Sequence, residues 1–121
     1  MKPPRYLSKT NKKPTFLQWL YSYYNEKYFD NKLPKCRVSW TSEPYADYGW
    51  LEHQPLHIKI RDDFKKKRFL QIAAATLIHE MAHIEFRDDP EENKGDADYH
   101  GPKFKKRMRR LAYKGAFDNL I

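Results

Sequence analysis

Leu70, Ala74, Leu77, Met81 and Ile84 recur at i, i+4, i+7, i+11 and i+14, and the pentapeptide His79-Glu80-Met81-Ala82-His83 lies inside that run. The period predicts one long helix, from about Phe64 to Phe86, with a continuous apolar stripe. Asp62-Asp63 stand where an N-terminal cap is expected. Any fold open to this chain has to bury the stripe yet leave the two imidazoles within reach of water.

His79 and His83 stand four residues apart, so on a helix both rings leave the same face. Two nitrogens at that spacing can bind one zinc ion. Glu80 lies about 100° further round the helix, close enough to act as general base on a water at that metal. A catalytic zinc takes three protein ligands and keeps a fourth position for water or substrate. His100, seventeen residues beyond His83, is the third-ligand candidate. The expected cofactor is therefore one Zn2+ per chain. The plainer reading makes the two histidines ordinary surface or core residues, and the helical flanks weigh against it.

A chain of 121 residues fits one domain with one core. Hydrophobic residues make up 40% and aromatics 16%, so the low mean hydropathy of −1.01 reflects charge rather than a missing core. The net charge of +8 favours anionic partners (nucleic acid, an anionic membrane or an acidic protein) unless the lysines serve only solubility. A single cysteine, Cys36, excludes an internal disulfide and any Cys-x-x-Cys zinc ribbon. It reads as a small packed residue in a reducing compartment. No membrane span or signal-peptide core is visible, and a soluble, intracellular protein is expected.

Residues 1–13 are rich in lysine and read as a flexible basic arm, with residues 14–121 forming the domain. Thr15 and Gln18 make a capping box for a helix to about Phe29. That helix carries two aromatic stripes: Phe16, Leu20, Tyr23 and Tyr24, and beside them Leu17, Tyr21, Tyr24 and Tyr28. Asp30-Asn31 supply a turn. Strands are expected at Cys36–Trp40, near Tyr48–Leu51, and at Leu56–Ile60, where Leu56, Ile58 and Ile60 face inward. Residues 87–99 form a polar loop that returns the chain to the metal. Gly101-Pro102 open a last helix with Phe104, Met108, Leu111 and Ala112 inward, basic elsewhere and stopped near Gly115.

Three sets of residues resemble a known family. The first is Leu20-Tyr21-x-x-Tyr24-Asn25-x-x-Tyr28-Phe29-x-x-Lys32-Leu33-Pro34, followed by Val38-Ser39-Trp40, Gly49 and Ile58-Lys59-Ile60. The second is Thr76-Leu77-Ile78-His79-Glu80-Met81-Ala82-His83, and the third Tyr99-His100-Gly101-Pro102-Lys103-Phe104. From about Phe16 to Leu111 the chain resembles the SprT-like zinc metalloprotease domain of the Spartan proteases. The resemblance implies an α+β, zincin-like architecture: a small mixed sheet packed on the N-terminal helix and the HExxH helix, with the basic helix last. It implies His79, His83 and His100 as metal ligands and Glu80 as catalytic base. It also implies a protein substrate lying along a sheet edge, for which His57, Ile58, Lys59 and Ile60 are the candidates. Spartan-type relatives cut proteins crosslinked to DNA and are switched on by DNA, so a role in DNA–protein crosslink repair is implied. Neither the zinc ribbon of the bacterial type nor the ubiquitin- and clamp-binding tails of the eukaryotic type is expected within these residues.

Two basic clusters are candidates for DNA without sequence preference: Lys65, Lys66, Lys67 and Arg68, and, at helical spacing, Lys103, Lys106, Arg107 and Arg110. Trp50 or Tyr48 could stack on unpaired bases, or belong to the core. Tyr99, Tyr113 and His57 are oxyanion-stabilising candidates by residue type. His53 and His57 otherwise read as ordinary polar residues. Asp96 and Asp98 either orient a ligand imidazole or form a solvated acidic loop. The leading reading is a DNA-associated zinc endopeptidase. Its rivals are a zinc peptidase acting on free proteins and a non-catalytic zinc-containing module; Glu80 argues against the module, because a structural site needs no base.

Overall fold

A computed structural model describes residues 15–43, 48–90 and 100–117. The basic arm expected over residues 1–13, together with Asp96, Asp98 and Tyr99, lies outside the described residues. Within them the order is α1 (Phe16–Tyr28), β1 (Arg37–Thr41), β2 (Gly49–His53), β3 (Leu56–Arg61), α2 (Leu70–Glu85) and α3 (Pro102–Tyr113). The molecule is mixed α+β, with a three-stranded mixed sheet and three α-helices among the described residues.

The Thr15 hydroxyl accepts from the Gln18 amide at 3.2 Å and starts α1 as the capping box requires. Leu17, Leu20, Tyr21 and Tyr24 are buried along it, whereas Phe16, in the first turn, is exposed. A polar row on the same helix fastens the returning chain. The Asn25 side chain donates to the Leu33 carbonyl and accepts from the Leu33 amide, each at 3.1 Å. The Tyr21 hydroxyl donates to the Pro34 carbonyl at 2.6 Å. The Gln18 amide group donates to the Cys36 carbonyl and accepts from the Val38 amide. Asp30 and Asn31 turn the chain with φ of 52° and 58°, a left-handed conformation these two residue types tolerate.

In the sheet the strand order is β1-β3-β2, with β1 parallel and β2 antiparallel to β3. This corrects the substrate-strand expectation. His57, Ile58, Lys59 and Ile60 lie in the central strand, hydrogen-bonded on both sides, and cannot accept a third partner. The Gln54-Pro55 turn folds β2 onto one side of β3, and β1 takes the other. Among the described residues the edges are β1 and β2. Gln18 already engages Val38 on β1 and Cys36 just before it.

Val38, Ile58 and Ile60 face α1 and α2, whose Leu17, Tyr21, Leu77, Ile78 and Met81 complete the core. Gly49 opens β2 where the strand crosses α2. A Cβ there would stand 2.8 Å from both the Lys59 carbonyl oxygen and the Thr76 methyl, so only glycine allows this approach.

The helix bearing the pentapeptide begins later than its periodicity suggests. Residues 62–65 and 67–69 form two short 3₁₀ turns, broken at Lys66 by an extended ψ of 137°. α2 starts at Leu70, and Asp62 and Asp63 do not cap it. Asp63 pairs instead with Arg61, and Phe64 packs edge-on to Tyr48 and Phe69, which turns the chain off the helix axis. α3 ends before Gly115, whose φ is 88°; Leu111 is inward as expected, but Ala112 faces solvent. No helix among the described residues is long and apolar enough to cross a membrane.

Candidate metal centre

α2 carries His79, Glu80 and His83, and Gly101 starts α3 immediately after His100. Leu77, Ile78, Met81, Ala82 and Ile84 anchor α2 in the core, so the two imidazoles leave the helix toward the start of α3. The Nε2 atoms of His79, His83 and His100 form a triangle with all three sides 3.2 Å. A neutral imidazole has one N–H, and three ring nitrogens aimed at one point cannot all satisfy one another. A shared metal ion resolves that convergence, and the three histidines are close enough to hold one.

Phe104, in the first turn of α3, backs all three rings. Its centroid lies 4.3 Å from that of His83 and 4.8 Å from that of His100, nearly parallel to both, and it meets His79 edge-on at 5.2 Å. Helical spacing puts Phe104 in the core, where it is buried, but does not by itself reveal this second role. The signal was present in the Gly101-Pro102 helix start, which puts Phe104 within one turn of His100. Glu80 is buried at 8% exposure, on the same helical turn as His79 and His83.

The oxyanion candidates separate clearly. Ile58 and Ile60 point into the core with α2, so by strand alternation His57 points to the opposite face of the sheet. There it is hydrogen-bonded to Ser39 at 2.6 Å. Burial, with Arg37 and Lys59 nearby, holds its pKa below the usual histidine value. Tyr113 is 93% exposed at the far end of α3, about 16 Å of helix from its start. Neither belongs to the metal centre. Burial pushes the Cys36 thiol up to about 11, so it stays protonated and packs as expected.

Lys65, Lys67 and Arg68 on the two 3₁₀ turns, and Lys66 between them, are exposed. Lys103, Lys106, Arg107 and Arg110 do share one face of α3 and, with Phe86, line one hollow. They are not equivalent cations. Lys103 pairs with Asp89 at 2.8 Å. Arg107 pairs with Glu85 at 2.9 Å, donates to the Tyr28 carbonyl at 2.6 Å, and lies over the Phe29 ring at 4.9 Å. It clamps three helices together. Of the stacking candidates, Tyr48 is exposed but packs against Phe64, and Trp50 is half-buried.

The model of the SprT-like family matches residues 17–119. The chain belongs to the SprT-like family. No curated protein matches it. The match takes in α1, the sheet, α2 and α3, and SprT-like membership brings a metallopeptidase-like character that suits the three-histidine cluster.

Proposed function

We propose that this SprT-like domain is a zinc-dependent endopeptidase of the zincin type, intracellular and associated with DNA, cutting proteins bound or crosslinked to it. The observation that carries the reading is the histidine triangle. Three nitrogens each about 2.0–2.1 Å from a tetrahedral zinc stand about 3.3–3.4 Å apart; His79, His83 and His100 stand 3.2 Å apart. When bound, the zinc supplies Lewis acidity, polarising the scissile carbonyl and lowering the pKa of water toward neutrality.

The chain's own residues supply the rest. Glu80 takes the proton from the attacking water and returns it to the leaving amine. Its burial beside the ligands keeps the carboxylate where bulk water competes least. The substrate extends along β2, the sheet edge that Gly49 brings against Thr76, one turn before His79 on α2. Of the three oxyanion candidates, Tyr99 remains. The charge of +8 and the exposed clusters at Lys65–Arg68 and on α3 support a DNA partner read through its phosphates.

The test pairs zinc-loaded protein with a basic DNA-binding protein as substrate, with and without single-stranded DNA. Cleavage is expected to need DNA, and Glu80→Gln is expected to abolish it while zinc remains bound. His100→Ala is expected to lose zinc as well; unchanged zinc affinity would overturn the third-ligand assignment. Glu80-dependent cleavage indifferent to DNA would favour a peptidase acting on free proteins.

A further inference from the structure

We propose that the hollow between Phe86 and α3 is where a single strand of nucleic acid docks, one base stacked on Phe86 and adjoining phosphates on Lys106 and Arg110. This deepens the nucleic-acid part of the reading above and rests on it. The hollow measures about 240 Å³, below the roughly 300–1,000 Å³ of a small-molecule site. It suits one flat ring system rather than a whole dinucleotide. It is lined by the half-buried Phe86 together with Lys103, Lys106, Arg107 and Arg110.

The four cations divide by their partners. Lys103 and Arg107 are held by Asp89 and Glu85. Lys106 and Arg110 have no acidic partner among the described residues, so their charge is available to an incoming anion. An aromatic lining residue beside two available cations matches a base next to its phosphates. A duplex hides its base faces in the stack and could use only the cations. Phe86 caps α2 three residues beyond His83, so a strand seated there lies beside the metal-bearing helix. The other basic cluster, Lys65–Arg68, stands on short turns, and its Arg68 lies over the Phe69 ring.

The experiment is fluorescence anisotropy of the whole chain with labelled oligodeoxythymidine and with a duplex, across a salt series. The wild type is expected to bind the single strand more tightly than the duplex. Lys106→Gln with Arg110→Gln is expected to flatten the slope of log K against log salt by about 1.4, two phosphate contacts at about 0.7 each. Phe86→Leu is expected to weaken single-strand binding about tenfold with little change in slope, and Phe86→Trp to restore it, which separates stacking from loss of fold. Neutralising Lys65–Arg68 is expected to change the affinity far less. If the wild type binds the strand but the α3 and Phe86 variants bind equally well, the hollow is the wrong place and the nucleic-acid reading survives. If duplex and single strand bind alike, the stacking mode is wrong. If the wild type binds neither, this inference and the nucleic-acid reading fail together.

Discussion

Phe104 holds the three imidazoles from behind, two of them face to face. Groups packed around metal ligands help to orient them, and changes to outer-shell partners of such ligands weaken metal affinity about 10–100-fold. Phe104→Leu keeps an apolar side chain but removes the flat ring. Its zinc affinity, measured by competition with a chromophoric chelator, is expected to fall by about tenfold or more. Unchanged affinity would remove Phe104 from the centre. At this scale the shared face of His79 and His83 was legible from spacing alone, because a helix fixes where i and i+4 point. Gln18, Tyr21 and Asn25 were not legible as a fastening row. Their partners are backbone groups at Leu33, Pro34, Cys36 and Val38, brought near only by the turn at Asp30-Asn31.

The order of strands and the tie between helices are decided between elements. All three strands were visible to within about two residues, since alternation is a local property. The middle position of β3 was not, because local pattern carries no information about the neighbour on either side. Arg107 raises the same issue among the helices. Helical spacing grouped it with three other cations, yet its guanidinium joins α3 to Glu85 on α2 and to the end of α1. Hydrogen bonds to a charged group contribute about 1.5–3 kcal/mol each. Arg107→Met is expected to lower the melting temperature by several degrees, and Arg107→Lys to recover only part, since an ammonium lacks the planar fork. Lys106→Gln, on the same face without an acidic partner among the described residues, is the control and is expected to melt like the wild type.

For the molecule as a whole, the metal and the fold are linked. His100 reaches His79 and His83 across more of the chain than any helix spans, so an ion on all three ties α3 to α2. Zinc at a hundred times its dissociation constant adds about 2.7 kcal/mol to folding. Removing it with a chelator is expected to lower the melting temperature by roughly 10 °C, with zinc restoring it. An identical melting curve would mean that the triangle does not hold zinc. The sequence by itself determined the helix with two histidines on one face, the glutamate beside them, and the α+β sorting of the chain. These follow from periodicity and short-range spacing, which act along the backbone. Only the tertiary structure decided that the triangle closes to 3.2 Å and that β2 rather than β3 is an edge. It also decided which cations on α3 already have acidic partners. Those depend on groups far apart in the chain meeting across the core, and no local pattern encodes which of them meet.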